Sequence, residues 1–277
     1  MTDCGLTNLS TCIWTKLGEV VLTALNAPLQ PLLNWIKSLL TAQITPNLLL
    51  PLWTIIVYII SLFYGLFFLF AGFNFMISGY DAVKRENAKS WIRNVVLMVI
   101  FVQGSYLIYS LVIEISALLS TGVIQLIDPK FFLLTVNSAN SLVMQLILLI
   151  PYVFVLLLTV IFLVVRYVLV YAGIVFFPFA MFFYFIPHLA SYGKIILNVC
   201  SILIFSNFFA CLVLLTCSIL IGLPVFTDMK IVVMLVAFLL VDLLFIFLTV
   251  IGALKAVFGV LNSDVGRNVT TAVKFLI

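Results

Sequence analysis

"SLVMQLILLIPYVFVLLLTVIFLVVRYVLVYAGIVFFPFAMFFYFI", residues 141–186, is a run of 46 residues that holds one charge, Arg166, and two prolines, Pro151 and Pro178. A straight α-helix of that length measures roughly 69 Å, about twice what a hydrocarbon core of roughly 30 Å needs. The run is therefore expected to bend, re-enter or turn back on itself. The number of times it crosses decides how many crossings the chain has and on which sides its loops lie.

The rest of the chain is of the same character. Sixty-six per cent of the 277 residues are hydrophobic and 8% are charged, with a mean hydropathy of +1.39, against roughly 25% charge in a typical soluble domain. Helices satisfy their own backbone hydrogen bonds in lipid, and the alternating segments of about ten residues that build an outer-membrane barrel are missing. The expected fold is all-α, a polytopic bundle of transmembrane helices. The start, "MTDCGLTNLSTC", has an acid at Asp3 and neither a basic nor an apolar region, unlike a cleavable signal peptide.

Five regions follow from the distribution of apolar and polar residues. Residues 1–46 form an extracytoplasmic or interfacial segment, in which "WTKLGEVVLTALNAPLQPLLNWIKSLL" (14–40) reads as amphipathic helices lying on the bilayer, broken by Pro28 and Pro31, with Trp14 and Trp35 at headgroup level. Residues 47–120 form a first transmembrane hairpin whose crossings, about Leu48–Ser78 and Ile92–Ser120, flank the basic loop "SGYDAVKRENAKSWIRN" (78–94). Residues 121–140 form an external loop that turns at Asp128-Pro129. Residues 141–254 hold the transmembrane core with a broken helix, and 255–277 an amphipathic tail.

Lysine and arginine positions weigh the topologies. If 141–186 crosses once, the chain has five crossings. The side of the 78–94 loop then holds Lys84, Arg85, Lys89, Arg93, Arg166, Lys194, Lys255, Arg267 and Lys274, nine against the four of Lys16, Lys37, Lys130 and Lys230. If it crosses twice, making six, the split is six against seven. The positive-inside rule favours five crossings, with the amino terminus outside, the carboxyl terminus in the cytoplasm and the basic loop cytoplasmic.

Candidates for chemistry are few. There is no phosphate-binding G-x-x-x-x-G-K-[ST] loop, no HExxH and no G-x-S-x-G; His188 stands alone beside Pro187 and reads as a loop residue. The chain is accordingly expected to be neither an enzyme nor a cofactor binder. Cys4 and Cys12 fall in the outside segment, where they form a disulfide or stay free thiols, while Cys200, Cys211 and Cys217 read as small packing residues inside a crossing. Charges inside the bilayer are costly. Asp242, near the middle of the last crossing, therefore needs a partner, a proton or water, and Arg166 and Glu114 are the charged residues on other crossings. Either Arg166 pairs with an acid between helices, or these groups line a watered path.

The pattern "RYVLVYAGIVFFPFAMFFYFIPHLASYGK" runs from Arg166 through Pro178-Phe-Ala to Pro187. With the "VKRENAKSWIRN" hairpin, it resembles the polytopic inner-membrane subunits of type IV secretion and conjugation machines, the TrbL family, and most nearly their archaeal DNA-import branch. The resemblance covers roughly residues 48–260. It implies a channel or scaffold subunit in the plasma membrane, a homo-oligomer passing DNA and powered by a separate secretion-type ATPase, with pilin-like small membrane proteins as further partners. On that reading Lys84, Arg85, Lys89 and Arg93 face the ATPase or the entering strand; Arg166, Pro178 and Pro187 shape a broken helix at the pore or a subunit contact; Asp242 belongs to the bundle interior. The alternative is a small-molecule or ion carrier using Asp242 and Arg166, although no internal repeat accompanies it. An intramembrane enzyme lacks any acid pair or Ser/His constellation.

Overall fold

A computed structural model describes residues 9–42, 44–132, 139–226 and 229–261, and among them every regular element is helical. The α-helices are α1 (Leu9–Thr41), α2 (Leu50–Ile77), α3 (Ala82–Gln103), α4 (Ser105–Gln125), α5 (Ala139–Phe185), α6 (Ala190–Ile221) and α7 (Lys230–Leu261). Five stretches are long and apolar enough to cross a membrane: Pro46–Ile77, Ser105–Gln125, Ile147–Phe185, Ala190–Ile221 and Lys230–Gly252. The chain is a multi-pass membrane protein.

The 141–186 run neither breaks nor turns back. It lies within α5, 47 residues long, which passes through both Pro151 and Pro178. Each proline removes one donor, but in lipid the other backbone groups have no partner outside the helix, so the helix persists. Its buried face recurs every three or four residues: Tyr152, Leu156, Thr159, Leu163, Arg166, Val170, Ile174 and Phe177. The chain reverses only after α5, through Ile186–Leu189, where Pro187 lies.

The amino-terminal segment also differs from expectation. α1 is one helix through Pro28 and Pro31, and the apolar face of its last turns is covered by protein. Leu29, Leu33, Ile36 and Leu40, one stripe at helical spacing, are buried in a core with Leu156 and Leu163 of α5, Leu214 of α6, and Met234 and Phe238 of α7. The amphipathic pattern was a sound sign of a helix with one apolar face; that face packs on protein. Cys4 lies outside the described residues, as does the side chain of Cys12.

Two compact units divide the chain. The first comprises Met1–Ala42, Ser116–Tyr167 and Ser206–Ile246, the second Gln43–Ile115, Val168–Phe205 and Phe247–Ile277. In the first, Lys37 stands with its ammonium 4.1 Å from the centre of the Phe132 ring. Burial pulls its pKa below the ordinary lysine value of 10.5. The folded state thus holds this proton less tightly than the unfolded chain, so stability rises with pH as Lys37 discharges, in the window below 10.5. Lys37→Met should therefore raise the thermal midpoint at neutral pH, with the gain shrinking as pH passes through that window. A midpoint lowered at every pH would show the cation–ring contact to outweigh burial.

In the second unit α2 and α3 form an antiparallel hairpin. At the open end of the hairpin, where α4 begins, Trp53 Nε1 donates to Ser105 Oγ at 3.0 Å, and Tyr106 OH to Asn47 Oδ1 at 2.6 Å. Further along the pair, the Phe70 and Trp91 rings meet at 5.3 Å. The phenylalanine-rich end of α5 holds this hairpin and the first turns of α4. Phe182 packs on Phe63 and Phe67 at 6.4 and 5.7 Å, Phe185 on Phe101 at 5.3 Å, and Phe177 on Tyr109 at 5.0 Å. Tyr109 OH also donates to the Val170 carbonyl at 2.7 Å. It reaches that carbonyl because residue 173 is glycine; a Cβ there would collide with the hydroxyl. Packing and such hydrogen bonds, rather than hydrophobicity, hold helices together where the surroundings are themselves apolar.

Candidate functional site

Two groupings of polar side chains stand out from this apolar framework, one in each unit.

The first is the amino end of α3. Asp81 caps it, its carboxylate accepting from Val83 N at 3.0 Å and its carbonyl from Arg85 N at 3.0 Å. The basic stretch expected as a loop is thus the first three turns of a helix, because Asp81 supplies a cap and Ala, Lys, Arg and Glu follow as good helix formers. Ala88 is buried, while Lys84, Arg85, Lys89 and Arg93 are all exposed. Arg85, Lys89 and Arg93 follow one another at four-residue spacing and form a ladder with rungs about 6 Å apart along the axis. Lys84 pairs with Asp81 and Lys89 with Glu86, each at 3.8 Å and in the open. Such pairs are worth less than about 1 kcal/mol.

Lys84 and Arg85, in the first turn, oppose the macrodipole at about 0.3–1 kcal/mol apiece, which Asp81 partly offsets, while Lys89 and Arg93 lie beyond its reach.

The second grouping is buried in the first unit. Arg166 of α5, only 7% exposed, donates from Nε to Ser206 Oγ of α6 at 3.1 Å. The neighbouring Asn207 donates from Nδ2 to the carbonyls of Leu39 and Leu40 at 3.3 and 3.2 Å, in the last turn of α1. One turn on, the Cys211 thiol meets the Ser120 hydroxyl, which itself donates to the Ser116 carbonyl at 2.8 Å. Asp242, 4% exposed on α7, faces Thr159 of α5, whose own proton goes to the Val155 carbonyl at 2.9 Å.

Among the described residues Asp242 Oδ1 accepts no hydrogen bond. Glu114 lies on the exposed side of α4. Pro178 is buried within α5, while Pro187 and His188 are exposed in the turn before α6. Cys200, Cys211 and Cys217 are buried free thiols.

Ser206, Asn207, Ser120 and Thr159 did not emerge from the sequence as site residues. Single polar residues inside the apolar run "SILIFSNFFACLV" (201–213) carry a signal, since each must find a partner inside lipid. The partners, however, lie on helices remote in sequence. Compared with known proteins, the chain matches no family model, no curated protein and no solved structure.

Proposed function

We propose that the chain is a membrane channel or scaffold subunit of a conjugation-like machine that passes DNA across the cytoplasmic membrane, with energy from a partner ATPase. The observation that carries this reading is the cluster of four exposed cations on the amino-terminal half of α3, open to an anionic surface. DNA, with one negative charge per roughly 1.7 Å of axis, is such a surface, and so is an acidic face on an ATPase. The spacing of Arg166, Pro178 and Pro187 adds the likeness to conjugation subunits described above. The charge distribution supports a cytoplasmic position for this end with the amino terminus outside; several copies and pilin-like partners are what the likeness to conjugation subunits implies.

The test is a charge-reversed chain, Lys84→Glu, Arg85→Glu, Lys89→Glu and Arg93→Glu, expressed in the native host and checked for insertion by glycosylation or cysteine-accessibility mapping. DNA transfer should fall several-fold while the protein stays in the membrane with unchanged topology. Normal transfer by an inserted variant would remove these residues from the mechanism. Co-purification of the ATPase with the wild-type chain, weakened by the same substitutions, would tie the cluster to that partner.

One observation favours a second reading, an ion or small-molecule carrier. Asp242 is a buried carboxyl inside a membrane-spanning helix with one oxygen unbonded, and such groups mark substrate or ion pathways. A carrier of this kind loses flux on Asp242→Asn in proteoliposomes; a DNA-transfer subunit shows no flux to lose.

A further inference from the structure

The basic ladder of α3 does not stand clear of the apolar surface. α2 runs antiparallel beside it, with Phe70 against Trp91, so the turns carrying Arg85 and Lys89 lie alongside the last turns of α2. There Phe73, Met76 and Ile77 are all strongly exposed. Cations and bare apolar side chains thus occupy the same level of one hairpin.

The ladder also continues in a telling way. Three and seven residues beyond Arg93, on the same face of α3, come Val96 and Ile100, 42% and 59% exposed. The face that begins with Arg85, Lys89 and Arg93 therefore ends in bare hydrocarbon. A wall lining a water-filled passage would stay polar along its length, and a purely aqueous docking surface would not be flanked by Met76 and Ile77. A ligand with an anionic phosphate at one end and an acyl chain at the other matches both parts of the face.

We propose that Lys89 and Arg93 hold the phosphate of an anionic phospholipid whose acyl chain lies along Val96 and Ile100. Arg93 is suited to the role because its planar guanidinium can present two parallel donors to phosphate oxygens, while Lys89 adds a compact charge one turn nearer the helix start. Among the described residues Arg93 is in no ion pair, and the Lys89–Glu86 pair is loose enough at 3.8 Å to yield to a phosphate. Trp91, beside Phe70, fits the headgroup level at which indoles concentrate. Lys84 and Arg85, nearer the tip, stay available to a soluble anion. The lipid site stands apart from the DNA-transfer reading, since it needs only that the hairpin sits in a bilayer.

The experiment uses the full chain in nanodiscs of phosphatidylcholine doped with phosphatidylglycerol, extracted into mild detergent, with retained lipids counted by native mass spectrometry. Wild type should retain phosphatidylglycerol several-fold over its share of the bilayer. The excess should disappear in Lys89→Gln/Arg93→Gln, survive in Lys84→Gln/Arg85→Gln, and resist added inorganic phosphate. Retention in proportion to bilayer composition by wild type alone would overturn the proposal, even if a variant failed to fold. So would equal loss in both double variants, or displacement of the lipid by inorganic phosphate, which would mark a site for free anions. Loss of DNA transfer in the outer pair with lipid retained, or the reverse, separates this site from the transfer function.

Discussion

Replacing Gly193 by valine should keep α5 and α6 from closing on each other and leave little folded protein. Gly193 lies in the first turn of α6, where a Cβ would collide with the Tyr184 amide nitrogen and stand 2.6 Å from Tyr184 Cα and 2.7 Å from the Ala180 carbonyl oxygen. All three are backbone atoms of α5, so no side chain can swing aside and the helices themselves must part. Ordinary overpacking costs about 1–3 kcal/mol, and a clash with fixed backbone exceeds that range. Parting the helices would also strip contacts from Phe182 and Phe185, which hold the α2–α3 hairpin. Unfolding by titration with a denaturing detergent measures the effect. Gly72→Ala is the matched control, because a Cβ at position 72 meets nothing within 4 Å, and its midpoint should stay near wild type. A Gly193→Val protein as stable as that control would show that α6 does not approach α5 so closely.

The second large effect is expected at Asn207. The last four carbonyls of any α-helix lack intrahelical partners, and in α1 two of them, from Leu39 and Leu40, are met by the Asn207 amide of α6. Leucine at 207 matches the side chain in size but leaves both carbonyls buried and unmet, at about 1–3 kcal/mol for each group left unsatisfied. Asp in the same place should do worse, since a carboxylate repels carbonyl oxygens. Limited proteolysis offers a local readout. Cleavage just after α1 should accelerate in both variants, while the junction between α2 and α3 keeps its wild-type rate. Unchanged protection after α1 would mean that the apolar stripe of Leu29, Leu33, Ile36 and Leu40 holds the helix without help.

Patterns local to one segment could be read in advance. Hydrophobic length predicted helices and left five or six crossings, the charge count favoured five, and the structure has five stretches fit to cross. The cap at Asp81 was also visible, as an acid just before a row of helix formers, but the positive charge around it drew the reading towards a loop. Pairwise matters were out of reach. Whether the apolar stripe of α1 meets lipid or protein depends on residues more than a hundred positions away. The same is true of Asn207 and the carbonyls it satisfies. Arg166 and Asp242 invited pairing because each was a lone charge in an apolar run; what the sequence did not show is that a hydroxyl on a neighbouring helix faces each of them, Ser206 and Thr159. Proline misled in both α1 and α5, where breaks expected from propensities measured in water gave way to the demand of a lipid solvent for a satisfied backbone.

The unbroken course of α5 also bears on the bilayer itself. Its apolar stretch, Ile147–Phe185, has 39 residues, roughly 58 Å of rod against a hydrocarbon thickness of roughly 30 Å. Even inclined by about 40°, the steep end of what membrane helices adopt, a rod crosses that thickness in roughly 26 residues. Some three to four turns of greasy helix are left over. That surplus is a hydrophobic mismatch, and lipids around the chain must stretch to cover part of it. Stretched lipid is costly, and neighbouring chains that share one thickened patch reduce the cost for each. The length of a single helix thus sets a demand on the thickness of the lipid around it.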